Sequence, residues 1–421
     1  MKKTNVFGAV ALSVALILPL GGTIASASSS RPNTVTLSGK TKGVTLSLMF
    51  GSSGTAETKA INAAGVAWGK ASGNKVNVIA ASNFNQQLAQ GFAGGTPPDV
   101  FYQSSSTLQT FAKQGDLLPY ASLAANASDF YPSLVKAYTY NKSWYCVPKD
   151  FSNLALEINT TMWAAAGLTS ADYPKTWAQL VTDAQKLTNK SAGVVGLDVG
   201  NTMDRLGAFF AENGGSYMNK TGTKFTFNSG QNIAALKWVQ SLAKKGILAF
   251  PSQQSAGWAG EAFGLGKAAM TTEGNWIIGA MKSSYPKINW VAVPMPRGPG
   301  GHLGTLTFTN CWGIAAQTKY SAAAVSFVKF LTSNTQQLKF AKAFGVLPGR
   351  ISAANAYAKA VPLVAAFVAG AKYSMAQVGT VGFPTVQAAF DSQVTGLATG
   401  SSNPVTMLNQ LQSNANALLQ P

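Results

Sequence analysis

The stretch Tyr145–Asn159 constrains the fold of this chain more than any other. A short approach ends at Pro148, an apolar run with Glu157 inside it covers Leu154–Ile158, and a helical pattern follows. This order predicts a strand, a bend, a second strand and a helix. The chain has 421 residues, which is more than the roughly 250–300 residues at which single cores stop growing. We therefore expect two lobes, with a hinge at this stretch.

The N-terminus has the features of a secretory signal peptide. Two lysines precede the apolar run Val6–Leu20, and Ala25-Ser26-Ala27 offers a small-residue cleavage site, so residues 1–27 are excluded from the fold. Residues 28–43 are rich in Ser, Thr, Gly and Lys, which predicts a flexible linker. No cysteine near the cleavage site offers a lipid anchor, and no later apolar run is long enough to span a membrane. We expect a secreted, cell-surface-associated or periplasmic protein, and an uncleaved signal that acts as an anchor stays an alternative.

The charge balance argues against one class of partner. The sequence has 32 Lys and Arg against 14 Asp and Glu, a net charge of +18, although charged residues make up only 11% of the chain. The basic residues are spread singly and are not interleaved with aromatics, which disfavours nucleic acid. A chain with few carboxylates also loses less stability in acid, so we hypothesise exposure to low pH. The alternative is a basic surface that stays near an anionic cell wall or lipid headgroups.

Strand and helix patterns alternate in the first part of the chain. Val44–Phe50 is typical of a strand, Thr55–Lys70 of a helix and Val76–Ala80 of a second strand. This alternation predicts an α/β fold in which helices cover a parallel sheet. Ligands of such sheets bind beyond the carboxyl ends of the strands, which here are the loops Gly51–Gly54 and Gln103–Ser106.

Two later segments continue the pattern. Glu261–Trp276 predicts a helix ended by glycine, a short strand, and a tight turn that brings an aromatic side chain to the start of the next helix. Thr305–Ala315 predicts a long strand, which is the natural return crossing between two lobes.

Six segments within residues 44–350 carry a resemblance to a known family. They are Thr96–Tyr102, Val147–Asn159 with Trp163–Leu168, Thr176–Leu187, Gly266–Trp276, Trp312–Ile314 with Ala322–Ser333, and Gly345–Pro348. Together and in this order they resemble the extracellular solute-binding proteins of ABC importers, in particular the family of maltose- and multiple-sugar-binding proteins. The stretch after residue 350 matches the family only loosely.

The resemblance implies two α/β lobes that close over a ligand by hinge bending. The first lobe would comprise residues 44–150 and 309–350, and the second residues 151–308 and 351–421. Crossing strands are expected near Lys149–Ser152 and Phe308–Cys311, with a third crossing near Arg350. The implied ligand is a sugar or oligosaccharide, the implied partners are the permease subunits in the membrane, and we expect a monomer without a cofactor.

A sugar site needs aromatic platforms for apolar C–H faces and side chains that pair with hydroxyls. The resemblance puts a stacking tryptophan at Trp276. Asp150 could accept hydrogen bonds from two vicinal hydroxyls, with a salt bridge to Lys149 as the alternative. Gln103 ends a strand that faces the expected cleft. Further candidates, each weighed against packing, capping or solvation, are Trp312, Asn310, Ser52, Ser53, Asp204, Arg205, Glu273 and Trp258.

The sequence gives little indication of a catalytic site or a metal site. His302 is the single histidine, and the 14 acids are scattered without a marked pair. An exported carbohydrate-active or wall-associated protein stays an alternative, as does a binding protein for an anionic polyol such as glycerol phosphate. An exported chain permits a disulfide between Cys146 and Cys311, and the alternative is two buried thiols.

Overall fold

The computed structural model of the protein describes residues 35–380 and 382–419, so the predicted signal peptide lies outside the described residues. The strands are β1 (Thr45–Phe50), β2 (Lys75–Ala80), β3 (Val100–Ser104), β4 (Thr139–Tyr140), β5 (Ser143–Trp144), β6 (Val147–Pro148), β7 (Asp150–Asn159), β8 (Val195–Val199), β9 (Leu248–Ala249), β10 (Ala268–Gly274), β11 (Trp290–Val293), β12 (Thr305–Phe308), β13 (Asn310–Ile314), β14 (Leu347–Pro348) and β15 (Ser374–Ala376).

Helices connect and cover these strands. They are α1 (Thr55–Ser72), α2 (Phe84–Ala93), α3 (Ser105–Gln114), α4 (Ala121–Ala124), α5 (Pro132–Ala137), α6 (Thr160–Ala165), α7 (Trp177–Leu187), α8 (Met203–Glu212), α9 (Gly230–Lys245), α10 (Ala259–Gly264), α11 (Ile277–Ser284), α12 (Ser321–Leu331), α13 (Asn334–Phe344), α14 (Ile351–Ala360), α15 (Ala365–Gly370), α16 (Phe383–Thr399) and α17 (Pro404–Ala417). None of the helices in the described ranges is long and apolar enough to cross a bilayer.

The first lobe is built on a sheet with the strand order β2-β1-β3-β13-β6. β1 pairs in parallel with β2 and β3, whereas β13 runs antiparallel to β3. Helices α1 and α12 pack together through Trp68 and Phe327, whose ring centroids lie 4.8 Å apart. α1 ends at Gly73, whose φ of 73° is a left-handed conformation that glycine adopts without steric cost.

The second lobe is built on a sheet with the order β15-β12-β7-β10-β8-β9, and β11 and β14 also pair with β7. β7 is buried on both faces. Leu154, Leu156 and Ile158 belong to the main core of this lobe, while Phe151 and Ala155 belong to a separate core on the other side. β8, β9 and β10 are parallel to one another, so their carboxyl ends share one edge.

Three links join the lobes. One runs from α13, which packs on α1, to β14, which pairs with β7, close to the crossing expected near Arg350. The other two are short. Lys149 lies between β6 of the first sheet and β7 of the second, and Thr309 lies between β12 and β13. The two short links are bonded to each other, because Thr309 Oγ1 donates to the Asp150 carbonyl over 2.6 Å and the Lys149 amide donates to the Asn310 carbonyl over 2.9 Å. The predicted strand Thr305–Ala315 is therefore two strands, since the chain leaves one sheet and enters the other at Thr309.

These features match the expected architecture, and the two-lobe α/β fold is confirmed. Cys146 and Cys311 form a disulfide inside the core of the first lobe, next to the register pair Cys311 and Pro148. Residues 38–43, which composition assigned to the linker, lie against the first lobe: the Ser38 amide donates to Ser321 Oγ over 2.7 Å. The predicted loop Gln103–Ser106 does not exist as a loop, because β3 continues through Ser104 and α3 begins at the next residue.

Candidate ligand-binding cleft

Side chains from both lobes gather around the hinge. Lys149 Nζ lies 4.4 Å from the ring centroid of Tyr102, in the middle of β3, and 5.3 Å from the ring centroid of Phe344. Trp276, which follows β10, packs edge-on against Phe308 of β12 with centroids 5.5 Å apart. The carboxyl ends of strands from both sheets thus meet at the crossing links, which is where a ligand of an open α/β sheet binds.

The lobes also contact each other beside the hinge. Asn275 Nδ2 of the second lobe donates to the Gly345 carbonyl over 2.7 Å. A Cβ added at Gly379 would lie only 2.6 Å from the Ser105 carbonyl oxygen. Glycine is therefore required at this approach of the two lobes, and any larger residue would push them apart.

A buried group that we call the lysine cluster comprises Glu57, Tyr102, Lys149 and Asp150. The Tyr102 hydroxyl donates to Glu57 Oε1 over 2.6 Å, and Lys149 Nζ lies 3.3 Å from the same oxygen. Lys149 also forms an ion pair with Asp150. α1 positions Glu57 in its first turn, directly after the loop Gly51–Gly54, whereas the crossing link positions Lys149.

The protonation states of the lysine cluster follow from burial and charge. Burial alone would raise the pKa of Glu57, but Lys149, the Tyr102 hydroxyl and Ser53 together hold it below its usual range. Burial raises the pKa of Asp150 although the Lys149 ammonium opposes that effect. Burial, reinforced by Glu57, raises the pKa of Tyr102 well above its usual value, so Tyr102 stays a neutral donor. One ammonium therefore serves two carboxyl groups.

A second group, the arginine cluster, comprises Arg205, Glu273 and Trp276. Arg205 Nε and Nη2 donate to Glu273 Oε2 over 3.0 and 2.8 Å, and Trp276 Nε1 donates to the same oxygen over 2.8 Å. The guanidinium carbon of Arg205 lies 4.8 Å from the centroid of the indole, within range of a cation–π contact. The hydrogen bond from Trp276 to Glu273 thus fixes the orientation of the indole, and Arg205 holds the Glu273 carboxylate in place.

The turn after β10 explains why Trp276 is placed there. A Cβ added at Gly274 would lie 2.1 Å from the indole of Trp276, so the ring folds back over this glycine. Trp276 stands at the start of α11 and stays partly exposed, while its neighbours Asn275 and Ile277 are buried. The sequence prediction of an aromatic delivered to the start of a helix matches this geometry.

A row of buried polar groups lies behind the arginine cluster. Asp198 of β8 and Glu157 of β7 both stand opposite Thr271 of β10. All three are fully buried, and Asp198 Oδ1 and Oδ2, Thr271 Oγ1 and Glu157 Oε1 lack a hydrogen-bond partner within the described ranges. Burial, with a smaller contribution from Glu273, raises the pKa of Asp198 to about 8. Burial and then Glu273 raise the pKa of Glu157 well above its usual range, so the sheet holds these acids in their neutral form at pH 7.

The other first-lobe candidates lie close to the lysine cluster. Gln103 is buried, and its Nε2 donates to the Ser104 carbonyl over 2.8 Å while its Oε1 has no partner in the described residues. Ser53 donates to Glu57 Oε2 from both its amide and its hydroxyl, at 2.7 Å each. Ser52 Oγ is bonded within the loop to the Gly54 carbonyl over 2.8 Å. Asn310, half-buried at the start of β13, stands opposite Ser104 in the strand register.

Three candidates lie outside this arrangement. Trp312 is fully buried in the first-lobe core, with its ring 5.1 Å from that of Tyr102, so we remove it from the set of ligand contacts. Asp204 accepts from Gln387 Nε2 of α16 over 2.6 Å, and this contact points it toward the helices of the second lobe. Trp258 precedes α10 and packs on the core that contains Phe151.

The sequence did not identify Glu57 or Asn275 as members of the site, and it identified Lys149 only as a possible counterion of Asp150. Glu57 carried one usable signal, since it is an acid in an acid-poor chain and stands one turn after a candidate loop. Asn275 carried none, because its contact with Gly345 joins residues 70 positions apart. Asp150 is paired with Lys149, as the salt-bridge alternative expected.

Comparisons with known proteins agree with this geometry. Over residues 63–366 the chain matches the family model described as bacterial extracellular solute-binding protein. No curated protein sequence matches the chain.

Solved structures share the fold at low identity. The GacH receptor of Streptomyces glaucescens, determined unliganded and with acarbose, is 22% identical with a TM-score of 0.76, covering 89% of this chain and 98% of that one. The cyclic alpha-maltosyl-1,6-maltose binding protein from Arthrobacter globiformis is 20% identical with a TM-score of 0.79, at 89% and 98% coverage. The sugar-binding protein MalE from Xanthomonas citri is 18% identical with a TM-score of 0.79, at 89% and 97% coverage.

Proposed function

The chain belongs to the bacterial extracellular solute-binding proteins, and we propose that it captures a sugar or oligosaccharide between its lobes and delivers it to the permease subunits of an ABC importer. The similar solved structures named above include receptors for acarbose and for a cyclic maltosyl-maltose. The chain would act as a monomer outside the membrane, binding its ligand without altering it.

The observation that carries the proposal is the setting of the Trp276 indole. The ring is partly exposed, stands where strand ends of both lobes meet, and has its polar edge fixed by Glu273. An indole held in this way offers an apolar plate to the C–H face of a sugar ring. Because the ring is already ordered, binding costs little further side-chain entropy.

The charge pairing within the lysine and arginine clusters favours an uncharged ligand. Lys149 is paired with Glu57 and Asp150, and Arg205 is paired with Glu273. Neither cation is left to meet a phosphate, and the carboxyl groups would repel one. This pairing disfavours the glycerol-phosphate alternative in spite of the net charge of the chain.

Hydrogen-bonding capacity for hydroxyls is present on the first-lobe side of the hinge. The side-chain oxygen Oε1 of Gln103 has no partner in the described part of the chain. Carboxylates accept several hydrogen bonds at once, so Asp150 can serve a ligand hydroxyl while it stays paired with Lys149. We infer that side chains of the first lobe form hydrogen bonds with the hydroxyls of the ligand and that the second lobe supplies the aromatic surface on which a sugar ring stacks.

The test is a titration of intrinsic tryptophan fluorescence with a ligand panel of maltotetraose, acarbose, tagatose and glycerol 3-phosphate. We expect saturable binding of at least one uncharged sugar, recovered intact by chromatography. Trp276→Ala is expected to weaken that binding at least tenfold, about 1.4 kcal/mol. Trp258→Phe serves as the matched control and is expected to change the dissociation constant less than threefold.

Three results would contradict the proposal. Cleavage of the ligand would indicate an enzyme. Binding of glycerol 3-phosphate alone would indicate an anionic ligand. Equal affinity of the wild type and Trp276→Ala for the same sugar would place the ligand away from the indole.

A further inference from the structure

The surface of this protein is almost free of acidic side chains. All 14 Asp and Glu residues lie in the described part of the chain, and Asp172 is the only one that is exposed. The half-buried acids are bonded inside the fold, as when Asp129 pairs with Arg350 Nη1 at 3.0 Å and Asp99 accepts from Ser47 Oγ over 2.8 Å. The positive charge of the exposed lysines is therefore not neutralised locally.

Five exposed lysines converge at one end of the first lobe, which we call the lysine pole: Lys40, Lys42, Lys70, Lys75 and Lys319. Contacts along the chain bring them together. Asn74 Nδ2 donates to the Thr41 carbonyl over 2.9 Å, and the Ala322 amide donates to the Ser38 carbonyl over 3.1 Å. The pole lies at the amino ends of β1 and β2, opposite to the carboxyl ends that form the cleft.

The pole also has an apolar centre. A depression of about 750 Å³ lies between the C-terminal half of α1 and β2, and it is lined in part by Gly65, Val66, Gly69, Lys70, Lys75 and Val76. Val66 is 59% exposed, the largest exposure among the large hydrophobic side chains described. Glycine at position 69 lets the end of α1 approach the backbone at Asn74, because a Cβ there would lie 2.7 Å from the Asn74 carbonyl oxygen. Apolar surface ringed by lysines is a pattern of membrane-interface contacts.

The chain enters the fold at this same pole. Residues 38–43 lie across the start of α12 and the end of α1. We propose that the lysine pole docks on a bilayer that contains anionic phospholipids. Each lysine near an anionic leaflet strengthens binding about fivefold, and Val66 adds an apolar contact that a soluble polyanion would not use. The cleft, at the other end of the lobe, stays open to the medium in this docked state.

Vesicle sedimentation with the exported chain tests the proposal. Phosphatidylcholine vesicles are compared with vesicles containing 30% phosphatidylglycerol, at low salt and at 0.5 M NaCl. The pole variant replaces the five pole lysines by glutamine, and the control replaces Lys220, Lys224, Lys237, Lys244 and Lys245, which are exposed on the second lobe. We expect salt-sensitive binding to the anionic vesicles, at least tenfold weaker for the pole variant and changed less than threefold for the control.

The outcomes separate the sources of binding. Equal loss in the two variants, which carry the same net charge, would indicate diffuse attraction and overturn the proposal. Binding that Val66→Ser leaves unchanged and that soluble polyphosphate abolishes would indicate an anionic polymer as the partner, and would also overturn it. Unchanged thermal midpoints of the variants show that the fold is intact, and their sugar titrations report on the cleft independently.

Discussion

Replacing Lys149 by methionine tests the claim that one ammonium neutralises two buried acids. The side chain of Lys149 is 5% exposed, and those of Glu57 and Asp150 are 4% and 9% exposed. Methionine keeps most of the apolar stem and removes the charge. Removal of one partner from a buried ion pair costs about 3–5 kcal/mol, because the remaining charge stays buried without compensation. For a lobe of this size that corresponds to a fall of roughly 6–20 °C in the unfolding midpoint.

The loss of stability should depend on pH with a defined sign. In the wild type the pKa of Glu57 is lowered, so its contribution is present above the unfolded pKa and is lost as pH falls through the folded pKa. Without Lys149, burial raises the pKa values of both Glu57 and Asp150. The penalty is then large at pH 7 and vanishes below about pH 4, where the unfolded acids are also protonated. The difference between Lys149→Met and the wild type should therefore shrink steadily from pH 7 to pH 4.

The assay is thermal unfolding by circular dichroism at pH 7, 5.5 and 4, with Lys282→Met as a control at an exposed lysine. The double variant Lys149→Met/Glu57→Gln should recover part of the loss at pH 7, since it removes one uncompensated carboxylate. A loss that is the same at all three pH values, and that Glu57→Gln does not relieve, would mean that Lys149 stabilises the hinge by packing and not by charge.

Further predictions concern the cleft, the disulfide and the acid row. Gly274→Ala should displace the indole of Trp276 and weaken sugar binding at least tenfold in fluorescence titration, whereas Gly279→Ala, where a Cβ meets nothing within 4 Å, should leave it unchanged. Replacing Cys146 and Cys311 by alanine removes a link between residues 165 positions apart, and should cost about 2–5 kcal/mol in urea unfolding; an unchanged urea midpoint would contradict this. Asp198 has its pKa raised to about 8, so its stabilising effect is full below the unfolded pKa of about 3.9 and is lost as pH rises toward the folded value. Asp198→Asn does not titrate, so its stability relative to the wild type should increase from pH 4 to pH 8 and then level off; parallel urea-midpoint profiles would refute this.

Much of the fold could be predicted because its signals are local. The strand and helix patterns of the first lobe, the bend after Pro148 and the turn before Trp276 each depend on a few neighbouring residues. The break at Thr309 was not visible, because Thr305–Ala315 is β-favouring throughout and only the relative position of two sheets divides it. Tertiary geometry overrode a continuous local pattern there.

The site was less accessible to sequence reasoning. Trp276 could be identified because a glycine turn precedes it. Trp312 could not be told from a ligand contact, since β13 is covered on both faces and alternation along the strand then carries no information about exposure. Glu157 interrupts an apolar run, and its burial as a neutral acid depends on its register partners on β10 and β11, which no local pattern reveals.

The placement of the acids gives the charge balance of the chain a physical meaning that composition alone did not supply. Scarcity of carboxylates suggested tolerance of low pH, but the structure adds that burial raises the pKa values of Glu157, Asp198 and Glu212, while Glu57, Asp129 and Asp172 are shifted downward. The first group loses its stabilising effect as pH rises, and the second loses it as pH falls. The first group is buried in the second lobe, so its effect on stability is large. Asp172 in the second group is exposed, where such interactions are weak. Acidification from pH 7 should therefore raise the stability of the second lobe more than it lowers that of the first. Because most of the acids lie in the interior, the positive charge of the surface lysines is not neutralised by neighbouring carboxylates. The placement of the 14 acids thus accounts both for the expected response to acid and for the basic surface that is proposed to dock on an anionic bilayer.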